Sequence, residues 1–248
     1  MKIVWNISNI DIQKVKKVIT ENENAFLHAR RMRNIRKVNI VIDKDKIIKT
    51  MTMCLLTSQQ RSGPNSAVGQ FLRLDPFPIN IERIEKNDNV EKMIKNSLKQ
   101  YDLTRYINKI SSFFAANYKM MVENNWEIIN RLEKLKEYDS KLKERAMADA
   151  LHNEFKGFGP KQSRNFLQAL GLTKYEIPID SRITKWLNEF GFPGSLTSTP
   201  LGDKGYYHFV SDGIQELCEK AGIFPCILDA AIFSSYDNND WTQENIIF

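Results

Sequence analysis

The chain has 248 residues with 42% hydrophobic and 27% charged side chains, enough to bury a large core as one domain or two packed subdomains. No stretch approaches the roughly 20 apolar residues that span a bilayer, and Met1 to Ile10 lacks the apolar run and cleavage site of a secretion signal, so a cytoplasmic location is expected. The formal net charge of +6 favours a polyanionic partner, and three widely spaced cysteines (Cys54, Cys218, Cys226) suit neither a disulfide framework nor a four-ligand metal site. They are expected to be reduced core residues.

In chain order, apolar residues recur at helical spacing almost throughout. Helices are predicted at Asp11 to Thr20, Asn24 to Arg33, Lys46 to Thr57, Trp126 to Leu135, Ser140 to Phe155, Arg182 to Phe190, Ser211 to Ala221 and Pro225 to Ser234. Ile107, Ile110, Phe114, Tyr118 and Met121 place a further helix by their steps of three and four. Asp11 and Ser211 are candidate N-caps, and Pro225 suits a first helical position. Strand signals are confined to Lys2 to Trp5 and Val38 to Ile42. The basic run Arg30, Arg31, Arg33, Arg36 and Lys37 reads first as a solvated helix face and second as a phosphate contact. His28, His152 and His208 have no metal-ligand spacing.

The most informative stretch is Phe155-Lys156-Gly157-Phe158-Gly159-Pro160-Lys161-Gln162-Ser163-Arg164-Asn165-Phe166-Leu167, in which one helix meets a Gly-Phe-Gly turn and a second helix begins. Two glycines allow positive φ and close backbone approach, and the free N–H groups of the new helix can grip a phosphate without reading sequence. Nineteen residues beyond Lys161, the segment Ile177-Pro178-Ile179-Asp180-Ser181-Arg182-Ile183 opens another helix.

Together these motifs resemble the helix-hairpin-helix DNA glycosylase superfamily, and their spacing is similar to that of the compact prokaryotic 8-oxoguanine glycosylases. The resemblance covers about residues 46 to 234. It implies that Lys161 is the Schiff-base nucleophile, that Asp180 is the catalytic carboxylate, and that Gly157, Phe158, Gly159 and Arg182 contact DNA. Met53-Cys54-Leu55-Leu56-Thr57-Ser58-Gln59-Gln60 is similar to the family's early helix end, which gives Gln59, or Gln60 after a one-residue slip, the task of filling the gap left by a flipped base. Two departures bear on subtype: Lys156 stands where the family hairpin often has proline, and only Cys218 and Cys226 follow Asp180, so no iron–sulfur cluster is expected.

The chemistry suits these residue types. A fixed carboxylate stabilises the positive charge that develops on the sugar as the glycosidic bond breaks. A lysine becomes nucleophilic when burial or a neighbouring cation, here Arg164, destabilises its ammonium form. Plain structural roles compete at each position: a helix cap for Asp180, a phosphate contact for Lys161, a helix-end amide for Gln59. Asn165, one turn beyond Lys161, is a candidate border of the base pocket, and Trp126, Trp241 and Phe248 are undecided candidates for base stacking.

The resulting expectation is an all-α enzyme of two helical subdomains with a DNA-binding cleft between them. Residues 1–45 would pack with the C-terminal subdomain, 46–149 form a central bundle, and 150–248 carry the hairpin. The resemblance implies an 8-oxoguanine DNA glycosylase and abasic-site lyase, monomeric, acting on double-stranded DNA beside the nucleoid. It implies no required cofactor and allows a monovalent cation at the hairpin carbonyls. A glycosylase for alkylated or mismatched bases, and a non-catalytic DNA-binding protein, are the alternatives.

Overall fold

The computed structural model describes residues 4–58, 60, 62–237 and 240–247, and among them the chain is wholly helical, with no strand. α1 (Asn9–Glu21) begins on a capping box in which the Ser8 hydroxyl accepts from the Asp11 amide and the Asp11 carboxylate accepts from Ser8. Asp11 is thus the third residue of the helix and Ser8 its cap. α2 (Ala25–Arg30) runs directly into a π-helical turn at Arg31–Ile35.

The expected strand at Val38 to Ile42 is absent. Lys37 and Asn39 both take positive φ, which breaks an extended run, and Ile40 and Ile42 pack instead onto a helical core. Of the other strand expectation, Val4 and Trp5 are irregular, and Lys2 and Ile3 lie outside the described residues.

α3 (Lys44–Leu56) is capped by Asp43 and buried along most of its length. Three helices follow that the periodicity reading passed over: α4 (Ala67–Leu72), α5 (Ile81–Glu85) and α6 (Val90–Gln100). Each starts on a Ser or Asn cap. α7 (Ile107–Glu123) buries the predicted face of Ile107, Ile110, Phe114 and Met121, and α8 (Glu127–Lys136) follows.

α9 (Lys141–Glu154) and α10 (Pro160–Ala169) form the hairpin, and α11 (Ser181–Phe190) starts at Asp180. α12 (Lys204–Ala221) begins seven residues earlier than Ser211, capped by Asp203, and Ser211 is a buried mid-helix residue. α13 (Pro225–Ser235) opens on Pro225 as expected.

Two hydrophobic cores organise these helices. The first holds Ile42, Ile47, Met51, Leu98, Phe114, Leu132, Leu151, Phe158, Phe166 and Leu172, so the hairpin is built into it. The second joins Val15, Ile19 and Leu27 to Ile183, Leu187, Tyr207, Ile214, Leu228 and Ile232. α1 accordingly packs on α12 and α13, while α10 packs on α9 and α3. Between the cores, the buried Asn34 amide donates to the carbonyls of Gln168 (2.9 Å) and Thr173 (2.8 Å), closing the C-terminal end of α10 with a residue from the N-terminal segment. No helix among the described residues is long and apolar enough to cross a membrane.

Candidate active site

The hairpin turn is held from two sides. Asn117 of α7, almost fully buried, accepts from the Lys156 amide (2.7 Å) and donates to the Lys156 carbonyl (3.0 Å). His152 Nδ1 meets the Phe158 carbonyl at 2.9 Å. The two glycines then do different work. Gly157 has φ +81°, and a Cβ there would stand 2.5 Å from Phe113 and 2.9 Å from Leu55, so it is required by both conformation and packing. Gly159 has an ordinary extended conformation, and nothing lies within 4 Å of where its Cβ would be. Gly159 is therefore the position where an external backbone can approach.

Phe158 was expected at the DNA; its side chain is turned inward, which leaves only its backbone to meet a partner. Its ring is buried in the first core against Phe155 and Phe166 at centroid distances of 5.2 and 5.7 Å. An apolar ring under the turn contributes more by leaving water than it would at a phosphate surface.

α10 buries every residue except Lys161 and Asn165, which are half-buried. Four residues apart, they share one helix face. Lys161 Nζ approaches Gln162 Oε1 at 3.5 Å, and the Asn165 amide reaches the same oxygen and the Thr57 hydroxyl, each at 3.5 Å. Burial is the largest influence on Lys161 and pushes its ammonium below the ordinary lysine range; Asp180 opposes this most, Arg182 adds to it, and Asp229 opposes it weakly. Arg164, expected as the neighbouring cation, is turned away: its guanidinium is fully buried against Glu176 and Asp149, each at 2.9 Å. Arg182 is the cation that Lys161 senses.

Asp180 caps α11. One carboxylate oxygen accepts from the amides of Arg182 (2.9 Å) and Ile183 (3.1 Å), and the other from the Arg182 guanidinium at 2.9 and 2.7 Å. Burial works to raise this carboxyl, but the charges of Arg182 and Lys161 and these hydrogen bonds prevail and hold it below the usual aspartate value. Cap and charged group are one residue here, because the bonds that cap the helix also keep the carboxylate ionised. The Arg182 guanidinium, expected at DNA, is engaged by Asp180 and lies 3.7 Å from the centre of the Phe233 ring.

A second carboxyl beside Lys161 was not found from sequence. Asp229 on α13 is buried, accepts from Gln168 Nε2 at 2.6 Å and pairs with Arg30 at 3.4 Å. Burial lifts it to about 6, with the neighbouring charge of Asp180 adding to the rise. A single aspartate within an apolar helix, Leu228-Asp229-Ala230-Ala231, was the available signal.

Gln59 and Phe248 lie outside the described residues. Gln60 is half-buried and donates to the Leu56 carbonyl (2.9 Å), finishing the last turn of α3. Trp126 is buried in the first core. Trp241 stacks on Phe26 at 4.6 Å beside Phe233. The three cysteines are free and buried. Two surface hollows, of about 410 and 670 Å³, lie elsewhere on the molecule and are lined by neither Lys161 nor Asp180.

No protein-family model and no curated protein matches the chain in sequence. Its fold is similar to that of solved structures, among them the following two. The 8-oxoguanine DNA glycosylase of Thermotoga maritima aligns with a TM-score of 0.63 over 92% of this chain and 96% of its own, at 16% identity. That of Methanocaldococcus jannaschii aligns with a TM-score of 0.63 over 96% of this chain and all of its own, at 15% identity. The chain therefore has the all-α fold of the compact prokaryotic 8-oxoguanine DNA glycosylases that its motifs resemble.

Proposed function

We propose that this chain is a base-excision DNA glycosylase with abasic-site lyase activity, that 8-oxoguanine in double-stranded DNA is its substrate, and that it acts as a monomer in the cytoplasm beside the nucleoid. The observation that supports the reading is Lys161: one of two half-buried residues on an otherwise buried helix, its ammonium disfavoured by burial and within the influence of a carboxylate held ionised by its own cap. The choice of lesion draws on what the two solved structures are named for.

The backbone N–H groups of the first turn of α10 have no intrahelical partner and suit a phosphate, and the open face of Gly159 lets it come close. Flipping the target base into the cleft costs a few kcal/mol of unstacking, offset by pocket contacts and by a side chain entering the vacated space, a role proposed for Gln59. Asn165, beside Lys161, would border the flipped base. As the C1′–N bond breaks, its electron pair leaves with the base, and Asp180 stabilises the positive charge left on the sugar. The neutral Lys161 amine bonds to C1′ and gives up a proton, and the departing base takes one up. Opening of the sugar ring leaves a Schiff base, from which β-elimination breaks the 3′ C–O bond and nicks the strand.

A monovalent cation at the hairpin is a further proposal. The carbonyls of Phe155, Lys156, Phe158 and Gly159 each already have a hydrogen-bonding partner, so an ion would use their second lone pairs.

The test is a panel of duplexes carrying 8-oxoguanine, alkylated bases or mismatches, with borohydride added during turnover. Base release and a trapped covalent adduct on 8-oxoguanine are expected. Release from another lesion alone would move the specificity. Release without any adduct would make the enzyme monofunctional, and binding without release would leave a DNA-binding protein.

A further inference from the structure

Lys161 and Asp180 are carried by helices that pack in different cores, and the connection between them passes through a buried polar assembly that the proposed chemistry does not use. One turn beyond Lys161, Arg164 donates to Glu176 (2.9 Å) and to Asp149 (2.9 Å), and its guanidinium lies 4.8 Å from the centre of the Tyr207 ring. Glu176, fully buried, also accepts from Arg145 and Gln215, both at 2.9 Å, while Asp149 meets His208 at 3.1 Å. Tyr207 is fully buried on α12. Its hydroxyl donates to the Ile177 carbonyl (2.8 Å) and accepts from the Ile179 amide (2.7 Å), the residue directly before Asp180.

We infer that Tyr207 is a positioning residue: its hydroxyl fixes the extended segment that delivers Asp180, and its ring, against Arg164, registers that segment on the helix that carries Lys161.

The chemistry of the contact favours this role over simple packing. A phenol with both hydrogen bonds made to the backbone of one short segment sets the path of that segment, and no other group is needed to fill the volume that phenylalanine would fill equally well. The same ring meets the Lys161 helix at Arg164, whose two carboxylate partners come from α9 and from the residue four before Asp180. Displacing a reacting group by about 1 Å typically costs about 100-fold in rate.

The experiment is Tyr207→Phe, which removes the hydroxyl and keeps the ring. It rests on the glycosylase reading for one of its two measurements. Single-turnover base release should fall about 10- to 100-fold with DNA affinity unchanged. A control of comparable stability loss in the first core, Leu98→Ala, should release base at the wild-type rate below its melting temperature.

The second measurement needs no activity: the pH at which Lys161 becomes half-reactive to an amine-directed acylating reagent, read by mass spectrometry. The charged and titratable groups facing Lys161 are Asp180 and Arg182 at the start of α11, Asp229 on α13 and Cys54 on α3, and Asp180 opposes its deprotonation most strongly. Loosening Asp180 should move the midpoint to lower pH. Wild-type rate with an unmoved midpoint would overturn the inference and leave Tyr207 as a core brace. Absence of base release by the wild type would sink the glycosylase reading, and the labelling midpoint would then decide the inference by itself. Should Tyr207→Phe fail to fold, Arg164→Lys, which keeps the charge and loses the fork and the face contact, takes the same two measurements with the same expectations.

Discussion

The core beneath the hairpin draws its buried residues from one stretch of chain, Ile42 to Leu172, whereas the core beneath Asp180 closes Val15 to Leu27 onto Ile177 to Ile232. Each contributes one half of the candidate chemistry. The contiguous core supports Lys161 on a helix packed on two neighbours in the same core, α9 and α3; the discontinuous core supports Asp180 at the cap of a helix resting on α13. A nucleophile and its counter-charge on separate cores can be brought into register only by groups that cross between them, which is what Asn34, Tyr207 and the Arg164–Glu176 pair do. The division also implies that damage to either side disables the reaction in a distinguishable way.

The largest expected effects separate the two halves. Lys161→Gln should abolish borohydride trapping while DNA affinity, measured at fixed salt, is retained. Asp180→Asn retains a capping oxygen but loses the negative charge, so base release should fall by about 100- to 1,000-fold. The change also leaves Arg182 without its anion, so melting temperature must be followed alongside the rate. A fully active Asp180→Asn would reduce that carboxylate to a cap.

The hairpin glycines give the next contrast, this time within the first core. Gly157→Val places a branched side chain at φ +81° against Phe113 and Leu55, and should cost about 3 kcal/mol or more of stability, read by chemical denaturation. Gly159→Val meets open space, so stability should hold and duplex affinity should fall about 10-fold, with the loss shared by lesion-free DNA. Equal affinity for wild type and Gly159→Val, compared at one salt concentration between about 50 and 200 mM, would remove the hairpin from the interface.

The smallest effect belongs to the second core. Asp229 rises from an ordinary value of 3.8 to about 6 on folding, so its contribution to stability is fully present below pH 3.8 and is lost as pH climbs through about 6. Asp229→Asn lacks this dependence. The stability of the variant relative to wild type should therefore improve between about pH 4 and pH 7, by about 1–3 kcal/mol, whatever constant offset comes from loosening Arg30. A flat difference across that window would mean that Asp229 folds as an ordinary surface-like carboxylate.

The hairpin and part of the contiguous core were legible in sequence because their signals are local: the 3.6-residue period of α7, the Gly-Phe-Gly turn, and a lysine and an aspartate nineteen residues apart. α4 to α6 of the same core were not read, α4 and α5 being too short to show a period. The errors have physical causes. Val38 to Ile42 has strand composition, yet the positive φ of Lys37 and Asn39 and packing onto helices override that preference. Arg164 stands one turn from Lys161 in sequence, but its charge is consumed by Glu176 and Asp149, partners whose placement depends on the whole fold. The inward turn of the Phe158 ring was likewise not visible in sequence, because it depends on the core over which the turn is built. Asp229 was invisible for the same reason: a carboxyl's environment is set by what packs around it, and Arg30 and Gln168 come from 199 and 61 residues away along the chain.

The packing of α1 on α12 and α13 bears on the birth of the chain as well as on its finished form. α1 leaves the ribosome well before its partners do: all of Ile42 to Leu172 is synthesised before the surfaces that receive Val15 and Ile19 exist. At 5–20 residues per second, α1 waits roughly 10–40 s with its apolar stripe uncovered. During that interval every residue of the contiguous core, the hairpin included, is already available to pack. Lys161 would then be mounted on its helix before Asp180 has a core to stand on, so the two halves of the candidate site form in succession rather than together.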